Sequence, residues 1–166
     1  ATVYTKGENV LNYIRGDRTL EGDKDTTGGY TATKPFRERS SRQGDIINSD
    51  IWYTGAPASN YTLSGYSTFA STYKDRTHML YVGGNDGMLH GFDAGNSTSA
   101  NPGTGAELVA YVPRGMIRDL KTYVAPDYAH RYWVDGSTFT GDAQIQAQTG
   151  ESGTGRYNGW RTVLVG

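Results

Sequence analysis

The chain has 166 residues, of which 36% are hydrophobic and 20% are charged, and its formal net charge is -1 at pH 7. The balanced, dispersed charge argues against a nucleic-acid surface, because binding phosphates requires a concentrated positive field. The lack of cysteine excludes disulfides, thiolate metal sites and thiol nucleophiles, and no apolar run reaches the ~18–20 residues of a membrane helix.

The first half of the chain carries few signals for regular structure. Apolar residues three and four positions apart predict one or two helical turns over Glu8–Ile14, which Gly16 ends. The charged, glycine-rich stretch Gly16–Gly29 is predicted to be an exposed loop. The first good strand is expected over Ile46–Ala56, and the polar and aromatic stretch Asn60–Tyr73 is typical of a long surface excursion.

Three consecutive strands are the clearest prediction. The β-prone runs His78–Gly83 and Met88–Asp93 are joined by the turn Asn85-Asp86-Gly87, in which Asp-Gly supplies the positive φ of a tight hairpin. Ala106–Val112 is the third strand, and Pro113 ends it. Together they predict an antiparallel meander, the building unit of a propeller blade.

A second set of strands is predicted in the last part of the chain. It begins at Tyr132–Gly136 and continues in Thr162–Val165, and Met116–Tyr123 is predicted to form a short amphipathic helix between the two sets. Because the apolar strand Trp160–Gly166 runs up to the last residue, we expect a fragment of a longer protein. Short strands between Gly, Asn, Asp and Ser clusters predict an all-β fold with a short helical and loop segment at the N-terminus.

One tripeptide suggests an adhesive role. Arg15-Gly16-Asp17 is a sequence that integrins bind when an exposed loop displays it. The alternative interpretation is a structural turn after the short helix. Both interpretations stay open at the level of the sequence.

The other polar residues do not indicate a catalytic or metal site. Glu21, Asp23 and Asp25 carry oxygen atoms suited to calcium, but they lack the regular alternation and closing Glu of a calcium loop. A solvated acidic loop is therefore predicted. No pair of histidines has metal-ligand spacing, which predicts surface or packing roles for His78, His90 and His130. Nucleophilic catalysis has no support, because the Gly-x-Ser-x-Gly elbow is absent around Ser40, Ser41, Ser49 and Ser137.

For the glycine-rich and aromatic stretches, structural roles are the first interpretation. Gly83–Gly87 lies in a strand-to-strand turn, whereas a phosphate cradle needs a following helix. Most tyrosines are expected to pack within blades. The aromatic residues of the polar excursion offer a contact surface instead, namely Tyr61, Tyr66, Phe69 and Tyr73.

The meander has the order of a known repeat. Tyr81–Ala94 gives a strand, an Asn/Asp-Gly hairpin and a second strand ending in Phe-Asp-Ala, and Thr104–Leu108 gives a Thr-Gly turn and a third strand. This order resembles the repeat of quinoprotein-type propellers. Asp93 is expected to accept backbone N–H groups and lock its turn. The repeat assigns structural turn roles to Asn85, Asp86, Gly87, Asp93, Thr104 and Gly105.

Two features depart from that repeat. Val109 stands where a tryptophan often closes the repeat. Gly95–Gly103 is a polar insertion, which we expect to project as a loop. Both leave the prediction of a propeller in place.

A longer succession of motifs covers nearly the whole chain. In order these are Leu11–Asp17, Phe36–Arg39, Gly44–Asp50, Asn85–Ala94, Ala110–Pro113, Tyr132–Ser137, Gly141–Ala143 and Trp160–Gly166. The succession resembles the entry into the C-terminal propeller of PilC/PilY-type type IV pilus biogenesis proteins. One departure is Ile51, where that family often has proline. The order is informative because unrelated propellers share only the blade repeat.

The resemblance implies a fragment of a quinoprotein-like β-propeller, with residues 1–45 as a linker and loop region and residues 46–166 as the first blades. It implies a non-enzymatic adhesin and assembly factor at the pilus tip, on the cell surface and associated with the outer membrane. The implied partners are pilins and minor pilins, a host or abiotic surface, and the remaining blades, with no nucleic acid. The family binds calcium through an acidic loop that no run here matches, so no cofactor is expected in this segment and calcium is expected in the remaining propeller.

Two other functions stay open. A pyrroloquinoline-quinone (PQQ) dehydrogenase propeller needs a channel Asp base, calcium ligands and often a vicinal cysteine pair, and this chain has no cysteine. An envelope-assembly scaffold propeller would share the blade repeat. It would lack the Asn48-Ser49-Asp50 and Tyr111-Val112-Pro113 blocks found here.

Overall fold

A computed structural model of the chain describes residues 7–23, 29–96, 98, 100–146 and 158–166. The chain folds into two compact units. The first unit comprises Ala1–Ser49, Gly83–Leu89 and Tyr111–Asp135, and the second comprises Asp50–Val82, His90–Ala110 and Gly136–Gly166. Within the described ranges, no helix has the length and apolar character needed to cross a bilayer.

The helices of the first unit are short. Helix α1 spans Gly7–Ile14 and buries Tyr13 and Ile14, which confirms the predicted N-terminal helix. The predicted helix Met116–Tyr123 is correct only in its last turn. A 3-10 turn occupies Arg114–Met116, and i to i+3 backbone hydrogen bonds continue through Asp119 before a single helical turn at Leu120–Tyr123.

The core of the first unit is aromatic. Tyr13 packs edge-on against Phe36, with ring centroids 5.3 Å apart, and against Tyr123, with centroids 6.0 Å apart. Edge-to-face pairs of this kind add stability beyond the buried apolar area. The buried cluster consists of Tyr13, Ile14, Phe36, Met88, Leu120, Tyr123 and Val124.

The larger sheet has four strands in sequence order. They are β1 (Trp52–Thr54), β2 (Met79–Gly83), β3 (Leu89–Asp93) and β4 (Glu107–Tyr111). β1 pairs antiparallel with β2, with Trp52 opposite Tyr81. Because each strand lies next to its neighbour in the sequence, the sheet is a meander. The predicted three-stranded meander is confirmed, and β1 completes it as a four-stranded blade.

A second sheet in the second unit is a two-stranded hairpin. Strand β5 (Phe139–Gln146) pairs antiparallel with β6 (Asn158–Val165), with Asp142 opposite Thr162. The Asp142 carboxylate accepts hydrogen bonds from the Thr162 hydroxyl at 2.7 Å and from the Tyr66 hydroxyl at 2.7 Å. These bonds allow a strand with polar residues to stay partly buried.

The strand predicted over Ile46–Ala56 is wrong for most of its length, because only Trp52–Thr54 forms a strand. The backbone N–H of Asn48 donates to the Asp135 carboxylate at 3.2 Å. The N–H of Asp50 donates to the Ser137 hydroxyl at 3.0 Å. Side chains therefore replace the strand partner that these donors would need.

The strand predicted at Tyr132–Gly136 is also wrong. The N–H of Trp133 donates to the side-chain oxygen of Asn85 at 3.1 Å. The Ser49 hydroxyl lies 3.5 Å from the carbonyl oxygen of Val134. These side-chain partners hold the segment in an irregular conformation, and the second sheet begins only at β5.

The polar excursion contains a helix that the sequence did not predict. Helix α2 spans Tyr66–Thr72, and its first residue is buried. Tyr66 packs against Trp160 with ring centroids 4.8 Å apart, and the Trp160 indole N–H donates to the Ser64 carbonyl at 3.0 Å. A tryptophan about one hundred residues away thus supplies the packing that stabilises this helix.

The boundary predicted between a linker region, residues 1–45, and the propeller blades, residues 46–166, stays a prediction.

Candidate functional site

The Arg15-Gly16-Asp17 tripeptide forms the end of α1. The N–H of Arg15 donates to the Leu11 carbonyl at 3.0 Å, and the N–H of Asp17 donates to the Asn12 carbonyl at 2.9 Å. Gly16 has φ of 101°, the left-handed conformation that ends helices and favours glycine. The side chains of Arg15 and Asp17 are exposed. The tripeptide is therefore both a helix cap and a displayed pair of opposite charges.

The Asp17 carboxylate is held in an anionic form. Its Oδ1 accepts a hydrogen bond from the Thr19 N–H at 2.7 Å. Hydrogen bonds from the backbone and side chain of Thr19 lower the pKa of Asp17 below its ordinary value. The carboxylate thus remains charged at neutral pH and fixed on the surface.

Arg39 anchors this segment from inside the protein, and the sequence analysis gave it no role. It is 3% exposed, and its Nε donates to Glu21 Oε1 at 2.6 Å. Its two Nη atoms donate to the carbonyl oxygens of Tyr13 at 2.8 Å and Asp17 at 2.9 Å. Arg18 contributes a second, half-exposed guanidinium, with Nε 3.0 Å from Glu21 Oε2. A buried network therefore fixes the end of α1.

The acidic loop does not provide calcium ligands in its described part. Both oxygen atoms of Glu21 are occupied by Arg18 and Arg39. Asp23 is exposed. Asp25 lies outside the described residues. Across the ranges that the structure describes, no group of three His, Asp or Glu side chains is placed to hold a metal ion.

The Asn85-Asp86-Gly87 turn connects three segments of the first unit. Asp86 accepts the N–H of Gly44 at 2.8 Å and the N–H of Met88 at 3.1 Å. The Asn85 amide donates to Asp45 Oδ2 at 3.1 Å. Gly87 has φ of 88°, as its place in the turn requires. The turn therefore fixes the end of strand β2 together with the segment around Gly44 and Asp45.

Asp45 and His130 lie beside this turn. The His130 Nε2 is 2.9 Å from Asp45 Oδ2. Burial alone would raise the pKa of Asp45, but hydrogen bonds from Asn85 and His130 outweigh it and lower the pKa. Both residues line a cleft of about 410 Å³ together with Arg37, Arg39, Ser40, Ser41, Gln43, Gly44, Ile46, Asn85, Tyr123 and Tyr128.

Arg37 forms one wall of that cleft and is held rigidly. Its guanidinium carbon lies 4.4 Å from the ring centroids of both Tyr123 and Tyr128, which are themselves 5.4 Å apart and nearly perpendicular, so the cation packs in the corner formed by the two rings. Its Nε donates to the Tyr123 carbonyl at 2.8 Å, and its backbone N–H donates to the Val124 carbonyl at 3.0 Å. Main chain and side chain are therefore both fixed.

Asp93 joins the two ends of the insertion after β3. Its Oδ1 accepts the Gly95 N–H at 2.8 Å, and its Oδ2 accepts the Thr104 hydroxyl at 2.7 Å and the Thr104 N–H at 3.1 Å. The Gly95 hydrogen bond and the Thr104 hydrogen bonds lower the pKa of Asp93. Gly105 follows with φ of 68° and donates its N–H to the Asp93 carbonyl at 3.0 Å. The structural turn roles predicted from the repeat stay predictions, and this is the geometry on which they depend.

The histidines each lie beside one polar side chain. His78 Nδ1 is 2.5 Å from the Tyr53 hydroxyl, and His90 Nδ1 is 2.5 Å from Glu107 Oε1. Among the serines, Ser40 and Ser41 line the cleft described above. The Ser49 hydroxyl faces the carbonyl oxygen of Val134, as described above. The Ser137 hydroxyl lies 3.1 Å from Asp50 Oδ2.

The aromatic contact surface is different from the predicted one. Tyr66 is buried against Trp160, and Tyr61 stacks on Trp160 with centroids 5.3 Å apart. Tyr61 and Tyr73 remain about half exposed, at 46% and 48%. Part of the predicted surface is therefore the packing of the second unit.

A four-stranded antiparallel meander has the form of a propeller blade, and the class of protein is a fragment of a β-propeller. A family model described as the PilY1 beta-propeller domain matches residues 43–152. The chain therefore belongs to the PilY1 β-propeller family. This confirms the resemblance found in the sequence and the predicted propeller fold.

Curated relatives match almost the whole chain. A type IV pilus biogenesis factor PilY1 homolog of Xylella fastidiosa (strain Temecula1 / ATCC 700964) is 38% identical over 163 residues, which is 94% of this chain and 11% of the relative. The type IV pilus biogenesis factor PilY1 of Pseudomonas aeruginosa (strain PAK) is 34% identical over 174 residues, covering 98% of this chain and 12% of the relative. The chain thus spans about a tenth of the length of these relatives. No solved structure matches it.

Proposed function

We propose that this segment is the propeller entry of a type IV pilus biogenesis factor, located at the cell surface with the pilus. The observation that carries the proposal is the match to PilY1 factors across 94–98% of the chain. Within that factor, the segment serves pilus extension and surface attachment. It acts by binding, and its partners are pilins or minor pilins and the remaining blades of the same propeller.

The experiment uses the full-length protein in its own bacterium. Residues 7–135 are deleted, and surface pilin is measured after shearing, together with co-purification of pilins. We expect surface pili and pilin capture to fall strongly, because the neighbouring blades lose the segment against which they pack. Normal piliation and normal pilin capture would contradict the proposal. Full piliation with lost pilin capture would show that the segment binds pilins but is not needed for pilus extension.

The names of the relatives favour this function over the two alternatives. Neither name describes a dehydrogenase. The dehydrogenase alternative is tested by adding the quinone and calcium to the full-length protein and measuring dye-coupled alcohol oxidation. We expect no oxidation above the protein-free control. The scaffold alternative predicts a protein that does not co-purify with pilins.

Adhesion through the end of α1 is a second part of the proposal. It is supported by the exposed Arg15 and Asp17 and by the carboxylate that Thr19 keeps anionic. Asp17→Glu retains the charge but moves the carboxylate by one methylene, so a receptor that reads the tripeptide should bind less well. Adhesion of bacteria to host cells is the assay, with Asp23→Glu as the control. Equal adhesion of Asp17→Glu and its parent would leave the tripeptide with its capping role.

Calcium is proposed for the propeller beyond this segment. The described residues give no metal-binding group, since Glu21 is engaged by two arginines. Calcium titration of the full-length protein and of Glu21→Gln should therefore give the same affinity. A weaker affinity in Glu21→Gln would place a ligand in this segment.

A further inference from the structure

We infer that the Arg37 cleft of the first unit is a docking site for an acidic side chain, Asp or Glu, of a protein partner. The inference goes beyond pilus biogenesis as such and is independent of it. It rests on the cleft of about 410 Å³, on the fixed guanidinium in its wall and on the residues around it.

The guanidinium has donors left for a ligand. Nε is used by the Tyr123 carbonyl at 2.8 Å. Among the described residues, neither Nη atom of Arg37 has a hydrogen-bond partner, and Arg37 forms no ion pair. Two parallel Nη–H groups match the two oxygen atoms of a carboxylate, which makes the bidentate pair that arginine forms best.

The other ionisable side chains of the cleft already have hydrogen-bond partners. Arg39 is bound to Glu21, with Nε 2.6 Å from Oε1. Asp45 is bound to His130, with 2.9 Å between Oδ2 and Nε2. Arg37 is therefore the cation of the cleft that lacks an opposite charge in the part of the chain that the structure describes. Charge complementarity selects an anionic partner.

The walls favour a protein partner. Tyr123 and Tyr128 pack against the guanidinium at 4.4 Å from the corner that their rings form, so little side-chain entropy is lost when a ligand binds. Tyrosine and arginine are enriched at the energetic centres of protein interfaces. Ser41 lies in the same cleft and is exposed. An acidic side chain of a partner would therefore enter the cleft beside the two tyrosine rings and bind Arg37.

The test measures binding of a fluorescent hexaglutamate peptide to the full-length protein. Ser41→Glu places a competing carboxylate in the cleft, and Arg37→Lys keeps the charge but loses the bidentate fork. We expect each to weaken binding by about tenfold or more, the size of one charge-assisted hydrogen bond. Arg42→Lys and Ser71→Glu make the same two changes outside the cleft lining, and both should bind like the parent.

Thermal unfolding of each variant accompanies the binding assay. If Arg37→Lys unfolds early, Ser41→Glu against Ser71→Glu decides, because neither serine has a structural hydrogen bond among the described residues. Equal binding by those two variants would overturn the proposal, as would no hexaglutamate binding by the parent. Trigalacturonate is the second probe. If it binds the parent and hexaglutamate does not, the cleft takes an acidic saccharide and the protein partner is refuted.

Discussion

Replacing Arg39 with Met removes the buried guanidinium that fixes the end of α1. Three side-chain hydrogen bonds are lost, to Glu21 at 2.6 Å, to the Tyr13 carbonyl at 2.8 Å and to the Asp17 carbonyl at 2.9 Å. Hydrogen bonds of a charged group contribute about 1.5–3 kcal/mol each, which gives roughly 4.5–9 kcal/mol in total. Folding must remove water from the buried Arg39 charge but not from an uncharged Met side chain, and this difference offsets part of the loss. Removing one partner of a buried ion pair costs about 3–5 kcal/mol in comparable cases, and we expect that value.

The assay is native-state hydrogen exchange of the α1 amides in the full-length protein. A loss of 3–5 kcal/mol corresponds to exchange faster by roughly 140-fold to 3,700-fold, at 1.4 kcal/mol per tenfold. Arg42→Met is the matched control, because Arg42 is exposed and its Nε makes one hydrogen bond, to the Gly16 carbonyl at 3.1 Å. The control should cost less than about 1 kcal/mol.

Two results would refute this reasoning. The first is α1 exchange in Arg39→Met that matches Arg42→Met. The second comes from a double-mutant cycle with Glu21→Gln. Because the side chains of Glu21 and Arg39 are joined by a hydrogen bond that either single substitution alters, the double variant should be less destabilised than the sum of the single variants by about 1 kcal/mol or more. Strict additivity would show that the pair does not act as a unit.

The remaining predictions concern two turns. Gly44→Ala should cost about 3 kcal/mol of unfolding free energy, because its Cβ would clash with the backbone N of Asp86. Gly115→Ala, with open space around its Cβ, should change stability by less than about 1 kcal/mol in the same denaturant titration. The pKa of Asp93 is lowered in the folded protein, so its contribution to the turn is complete above the ordinary aspartate value of ~3.9 and is lost as pH falls through the lowered pKa. Exchange of the Thr104 amide should accelerate over that acidic range, and Asp93→Asn should remove the pH dependence.

The parts of the fold that the sequence predicted correctly depend on neighbours in the chain. Strands β2 and β3 are joined by Asn85-Asp86-Gly87. The apolar pattern of both strands and the turn signal lie within fifteen residues. α1 is likewise explained by the apolar spacing before Gly16. Local signals were sufficient there because the bonds that form these elements are also local.

The wrong predictions have partners far away in the sequence. The stretch around Asn48 looks like a strand, but its donor is bound by Asp135, 87 residues later. Helix α2 was missed because its packing partner for Tyr66 is Trp160. β5 was missed because its residues are polar, and only pairing with β6 and the bonds of Asp142 explain why they form a strand.

The candidate sites divide in the same way. The Arg15-Gly16-Asp17 tripeptide is visible in the sequence, whereas its buried anchor Arg39 is not, although Phe36–Arg39 was noted as part of the family succession. The stacking of Arg37 on Tyr123 joins residues 86 positions apart. No spacing rule predicts such a pair, since it exists only once the core around Tyr13 and Tyr123 has formed.

The clamp that Asp93 makes between Gly95 and Thr104 has a consequence for how this blade can vary. The two ends of the insertion are tied together at its base, so β3 and β4 keep their pairing whatever the insertion contains. Doubling the length of a loop closed in this way costs only about 0.6 kcal/mol. Lineages can therefore lengthen, shorten or rewrite this loop without disturbing the blade, and an epitope tag placed there should report on the assembled protein while leaving its propeller intact.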